Sequence, residues 1–184
     1  MLQSHPGPAH DPPLWHGQSI VLVGLMGVGK STVGRRLAGR LKLPFVDADA
    51  EIEAAADLKI AEIFDRYGEP HFRDGERRVI ARLMEGEAKV IATGGGAFVN
   101  DATRALILAQ ALAIWLDADI AVLADRVSRR DTRPLLRDRD PHEVLGELAR
   151  VRNPLYAQAQ LRISSQRAPH EATVAAILKA IGQQ

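Results

Sequence analysis

Lys30 and Ser31 close the run Gly24-Leu25-Met26-Gly27-Val28-Gly29-Lys30-Ser31, which fits the pattern G-x-x-x-x-G-K-[ST]. The chemistry of that pattern is phosphate binding. Glycines let the backbone curl so that successive N–H groups face phosphate oxygens, and a following helix adds its positive end. Lys30 then reaches the β- and γ-phosphates, and the Ser31 hydroxyl ligates Mg2+. The flanks agree: an apolar β-branched run, Ile20 to Val23, leads in, and Val33, Leu37 and Leu41 follow at helical spacing. A chance glycine turn before a helix is the competing reading, and those flanks disfavour it. A nucleoside triphosphate is therefore expected on Gly27, Val28, Gly29, Lys30, Ser31 and Thr32.

Further residues of the right type lie downstream. Asp47-Ala48-Asp49 ends the next apolar run, and two carboxylates two apart on a strand share one side. One could orient Mg2+ through water and the other take a proton from a hydroxyl; the plainer alternative is a helix cap at Asp49 with Asp47 solvated. Gly68-Glu69-Pro70-His71-Phe72-Arg73 offers an arginine for a carboxylate, weak evidence by itself. Gly94, Gly95 and Gly96 follow Thr93, and three glycines in succession suit a place where a ligand touches backbone. The stretch Arg126 to Arg139 is dense in arginine and aspartate around Arg133-Pro134-Leu135-Leu136. It reads as a mobile lid able to bring cations over phosphates, with a solvated loop as the alternative. Arg152-Asn153-Pro154-Leu155-Tyr156, placed after the next helix, offers a second carboxylate-binding arginine or a cationic helix end.

These residues need a frame. Apolar strand candidates at Ile20–Val23, Pro44–Asp47, Lys89–Thr93, Leu112–Leu116 and Leu161–Ser164 alternate with helical patterns at Arg77 to Met84, Ala102 to Ala109 and Glu143 to Arg150. Short apolar strands between helices imply a parallel sheet covered on both faces, and hence one three-layer α/β domain. Asp49, Asn100 with Asp101, and Asp140-Pro141 mark expected helix starts. The 184 residues suffice for one buried core, and a net charge of +1 argues against a nucleic-acid or anionic-membrane partner. The charges are unevenly spread, with acids crowding Asp47 to Asp65 and arginines Arg126 to Arg152. Cysteine is absent, which suits a reducing compartment, and no apolar run is long enough to span a bilayer. Residues 1–18, with Pro6, Pro8, Pro12 and Pro13, are expected to form a flexible leader, with no apolar core for a secretory signal.

In order, the glycine loop, Asp-x-Asp, Gly-Glu-x-x-Phe-Arg-x-x-Glu, Gly-Gly-Gly, Arg-Pro-Leu-Leu and Arg-x-Pro-Leu-Tyr resemble the shikimate kinase family, over Ser19 to Ile181. The resemblance implies a P-loop kinase fold with a five-stranded parallel sheet over residues 19–184, with a lid at about 126–139. It implies transfer of the γ-phosphoryl of ATP to the 3-hydroxyl of shikimate, on the way to chorismate and the aromatic amino acids. Asp49 would hold ring hydroxyls and act as base. Arg73 and Arg152 would clamp the carboxylate, and Gly95, in the turn Gly94 to Gly96, would meet substrate through its backbone. Lys30 and Arg133 would flank the transferred phosphoryl, while Ser31 and, through water, Asp47 would serve Mg2+. Arg126, Arg167 and Pro169 resemble the adenine-side elements. A cytoplasmic monomer binding ATP and shikimate, with no nucleic acid or membrane, is expected. Two departures, Gln158 where the family often has an acid and Ser164-Ser165 where it often has Asp-Thr, are assigned to the adenine side. A gluconate kinase of the same fold and a catalytically silent nucleotide-binding module are the rivals. The ordered motifs disfavour the first, and the presence of Lys30, Asp49 and Arg133 disfavours the second.

Overall fold

The structure, a computed structural model, describes residues 15–129, 139–167 and 169–182. Five strands form one sheet: β1 (Ile20–Val23), β2 (Phe45–Asp47), β3 (Val90–Ala92), β4 (Leu112–Asp117) and β5 (Leu161–Ser164). Their order is β2-β3-β1-β4-β5 and every pairing is parallel. Ile20, Val21, Leu22 and Val23 are all fully buried, as a central strand covered on both faces requires. Seven helices among the described residues surround the sheet: α1 (Lys30–Leu41), α2 (Ala48–Ala56), α3 (Ile60–Met84), α4 (Asp101–Gln110), α5 (Ile120–Ser128), α6 (Pro141–Tyr156) and α7 (His170–Ala180). The strands match the expected ones to within a residue or two at their ends.

Core side chains from both faces lock the layers together. Leu37 of α1, Ile80 of α3, Ile107 of α4, Leu145 of α6 and Ile177 of α7 are all completely buried. Each such side chain contributes about 1.5–3 kcal/mol of burial. The strand order places β1 between β3 and β4. The chain leaves β1 toward β2 on one side and later crosses to β4 on the other. The crevice beyond the carboxyl end of β1 is the topological switch point, where open α/β sheets bind ligands.

Several expectations need correction. The cap of α2 is Asp47, whose side chain accepts from the N–H of Asp49 at 3.1 Å and of Ala50 at 3.4 Å. Asp47 is thus the last strand residue, and Asp49 stands in the first helical turn, not on the strand. The helical pattern expected over Arg77 to Met84 starts much earlier, so that Phe72 and Arg73 are also helical, in the part of α3 that follows a break at Gly68, where φ is 77°. Arg152 to Tyr156 lie inside the last turns of α6 rather than after it. Of the leader expected over residues 1–18, only residues 15–18 are described: Trp15 packs against the core and its indole N–H donates to Gln18 O at 2.7 Å. Residues 1–14 lie outside the described residues. So does most of the expected lid, residues 130–138 with Arg133, while Arg126 to Ser128 belong to α5. The helix starts at Asn100 and Asp140 hold, each side chain accepting a backbone N–H from the first turn.

Candidate active site

The glycine loop joins β1 to α1 as its sequence requires. Gly24, Gly27 and Gly29 have φ of 139°, 80° and 99°, all in the region that disfavours side chains. A Cβ at Gly24 would lie 2.4 Å from Leu116 O, so sterics as well as dihedral demand glycine there. Lys30 Nζ donates to Gly24 O at 2.7 Å and Leu25 O at 3.0 Å, which folds the ammonium back over the loop. Ser31 Oγ donates to Asp47 Oδ2 at 2.7 Å. Two oxygen atoms suited to a cation therefore meet beside the phosphate loop, beyond the carboxyl ends of β1 and β2, which flank β3.

The second glycine run follows β3. Thr93, whose hydroxyl donates to Leu22 O at 2.9 Å, ties the end of β3 to β1. Each of the next three glycines then has a different charged side chain against it. A Cβ on Gly94 would fall 2.6 Å from Asp49 Oδ1, one on Gly95 3.2 Å from Arg152 Nη1, and one on Gly96 2.5 Å from Arg73 Nη2. The three glycines leave room for three elements, α2, α6 and α3, to bring polar groups onto one turn. Tyr156, fully buried, donates its hydroxyl to Gly95 O and stacks among Phe98 and Trp115, so the far side of the turn is fixed as well. Burial pushes the Tyr156 hydroxyl above its ordinary pKa, with Arg152 pulling the other way.

Arg73 is positioned by its own helix. Its Nη1 donates to Glu76 at 2.8 Å, and its Nε and Nη2 donate to Glu69 at 3.2 Å each. The Glu76 side chain is only 2% exposed. Burial raises its pKa above the ordinary value, and Arg73 pulls against that rise without cancelling it. Glu76 was part of the quoted motif yet had no assigned role, because sequence gives no measure of how deeply a helical glutamate is buried.

Arg126 closes the opposite wall. Its guanidinium donates to Val28 O at 3.3 Å, Ser165 O at 3.4 Å and Gln166 O at 2.6 Å. It thus clips the loop after β5 onto the phosphate loop, and burial lowers its pKa. Ser165, one of the two departures, supports the same contact through Oγ to Val28 O at 3.0 Å. Gln158, the other, is not on that side. It accepts from Arg104 Nε at 3.1 Å, and Arg104 also donates to Phe98 O and Val99 O, so Gln158 braces the glycine turn instead. Arg167 and Pro169 flank the start of α7, near the cleft that the loop and Arg126 wall in; neither lines it. One cleft of about 370 Å³ joins Gly27, Gly29, Lys30, Ser31, Asp47, Asp49, Gly94 and Arg126. A second, more open one of about 620 Å³ joins Arg73 and Arg152 over Gly96.

A phosphate loop facing a carboxylate, with a separate arginine-lined cleft alongside, defines a P-loop kinase that acts on a small anionic acceptor. A family model described as shikimate kinase matches residues 26–182. A shikimate kinase of Caulobacter vibrioides is 61% identical over 90% of this chain and 83% of its own length. One of Novosphingobium aromaticivorans is 57% identical over 91% of this chain and 89% of its own. Among solved structures, a shikimate kinase from Acinetobacter baumannii in complex with shikimate superposes with a TM-score of 0.85. It is 35% identical, covering 90% of this chain and 93% of that one. The chain belongs to the shikimate kinase family.

Proposed function

We propose that this chain transfers the γ-phosphoryl group of ATP to the 3-hydroxyl of shikimate, giving shikimate 3-phosphate and ADP on the route to chorismate. The observation that carries the reading is the glycine turn: Asp49, Arg152 and Arg73 rest on Gly94, Gly95 and Gly96 in succession, beside Lys30. Arginines hold a carboxylate by paired N–H donation, and the aspartate is left at the end nearer the phosphate loop.

On this reading the 3-hydroxyl oxygen attacks the γ-phosphorus, the bond to the bridging oxygen breaks, and the hydroxyl proton passes to Asp49. Lys30 leaves the loop carbonyls for the phosphate oxygens, and backbone N–H groups of the loop hold the rest of the triphosphate. Arg73 and Arg152 clamp the shikimate carboxylate, which orients the ring. The Ser31 and Asp47 oxygens, 2.7 Å apart, fit Mg2+, which uses few protein oxygens and completes its shell with phosphate and water. No group of three or more acidic, histidine or cysteine side chains that could hold a metal occurs among the described residues, as that mode of binding requires none. When bound, Mg2+ would neutralise charge on the β- and γ-phosphates. Arg126, Arg167 and Pro169 serve the base side, and Arg133, outside the described residues, completes the charge around the phosphoryl from a lid. We place this activity in a cytoplasmic monomer.

Coupled ADP release across shikimate, quinate, gluconate and nucleoside monophosphates tests the reading. Shikimate should drive turnover at least about a hundredfold better than the others, in terms of kcat/KM. Equal turnover with gluconate would move the substrate assignment to that acid. ATP binding with no acceptor-dependent release would make the chain a nucleotide-binding module.

A further inference from the structure

Ser165 holds the phosphate loop through Oγ to Val28 O, and another side chain against that loop belongs to a residue with no role so far. His170 is the first residue of α7, reached through Pro169 in an extended conformation. Its imidazole lies directly on the loop: a Cβ at Gly29 would stand 3.0 Å from His170 Cε1 and 3.3 Å from Nδ1. Nδ1 is closed off from solvent. The same ring forms part of the wall of the 370 Å³ cleft, in company with Lys30, Thr32, Arg126 and Arg129. The ring is held in place from behind. Val174 and Ile177 anchor α7 in the core, and Glu171 pairs with Arg36 of α1 at 3.5 Å.

A triphosphate whose β- and γ-phosphates lie over Lys30 and Ser31 must carry its α-phosphate and ribose out past Gly29 and Thr32. That exit runs along the wall shared by Arg126 and His170. Arg126 spends its N–H groups on four backbone carbonyls, including Gly27 O at 3.5 Å, so it braces the wall. The imidazole is the polar group of α7 that stands beside the exit. Nε2 stands farther from the loop than Nδ1, 3.9 Å against 3.3 Å from where a Cβ on Gly29 would lie, so that edge of the ring is the one turned away from Gly29.

We propose that His170 is a nucleotide-binding residue, whose imidazole Nε2 edge donates a hydrogen bond to an α-phosphate oxygen of ATP and ADP. The inference deepens the kinase reading and rests on it. A hydrogen bond to a charged oxygen predicts that His170→Ala weakens ADP binding, and raises KM for ATP, by roughly tenfold. KM for shikimate should stay within about twofold, because the acceptor cleft lies across the glycine turn. His170→Gln places an N–H donor near the position of Nε2 and should recover most of the loss. Calorimetric titration with ADP, steady-state KM values and thermal melting of the ligand-free variants are the measurements. Parent protein that binds ADP alongside a His170→Ala variant of equal affinity would overturn the inference alone. Parallel losses for ATP and shikimate, with a lowered melting temperature and no recovery in His170→Gln, would overturn it by making His170 a packing wedge. Parent protein without ADP affinity would overturn the kinase reading and this inference together.

Discussion

The Arg73 guanidinium is shared between Glu76 at 2.8 Å and Glu69 at 3.2 Å, and the two carboxylates differ in kind. Glu69 is 64% exposed and easily displaced, whereas Glu76 is buried and holds one edge of the fork in place. Burial raises the Glu76 pKa, so its charge is lost at a higher pH than an ordinary glutamate's as acid is added. Affinity for shikimate should therefore begin to fall above the usual carboxylate range, about pH 4.3. The stability term has the opposite sense. A raised folded pKa favours the neutral form, so that contribution is complete below the unfolded value and declines as pH rises through the folded one. Glu76→Gln should weaken shikimate binding at neutral pH by roughly tenfold and remove that acid limb. An unchanged pH profile of kcat/KM for shikimate would show that Glu76 does not act through Arg73. Asp49 sits on the other side of the turn. Asp49→Asn should lower turnover at saturating shikimate by about 10²-fold or more, the scale of a lost general base. Turnover near that of the parent would leave Asp49 as a binding group at most.

At the scale of elements, the glycine turn after β3 is a meeting point for three helices, and each glycine makes room for one side chain. Gly96 has φ −93° and ψ −16°, which any residue adopts, so alanine there strains no backbone. The added Cβ would instead fall 2.5 Å from Arg73 Nη2 and displace it. Gly96→Ala should raise KM for shikimate roughly tenfold, with the melting temperature and KM for ATP little changed. An equal rise in both KM values would point to a general disturbance of the turn. Much of this element was legible beforehand. The strands were, because five short apolar runs can only be buried in a covered sheet. The phosphate loop was, because its glycines and Lys30 are spaced by local geometry. The start of α2 was not. Asp47 and Asp49 are both good caps, and the choice falls to Asp47 because β2 ends there and its carboxylate reaches two N–H groups at once. The helix carrying Arg73 was hidden for a similar reason. Gly68, Pro70 and Gly75 interrupt any helical pattern ahead of Arg77, yet only Gly68 breaks α3, and Pro70 sits where a resumed helix tolerates it. Gln158 was misplaced because its partner Arg104 lies 54 residues away in sequence, a pairing that no local pattern shows.

At the scale of the whole molecule, the walls of the smaller cleft come from opposite halves of the sheet. Asp47 and the glycine turn belong to the β2-β3 side, and Arg126 with the start of α7 to the β4-β5 side. α5 ends at Ser128, where Arg126, Val127 and Arg129 line the smaller cleft, and α6 begins at Pro141; residues 130–138 with Arg133, outside the described residues, connect them in sequence. On the proposed assignment that segment is a lid, which excludes water and brings the last cation to the transferring group. Hydrogen exchange over residues 130–138 should be fast in the protein alone and slowed by ADP with shikimate. Arg133→Ala should lower turnover far more than shikimate affinity. Equal protection with and without ligands would remove the lid. The central claim, that one glycine turn gathers Asp49, Arg152 and Arg73 around shikimate beside the phosphate loop, is met most directly by a crystal structure of the protein with ADP and shikimate. The account predicts the shikimate carboxylate within about 3 Å of the guanidinium groups of both Arg73 and Arg152, with a ring hydroxyl on Asp49. A carboxylate bound elsewhere, with either arginine still held only by its protein partners, would contradict it.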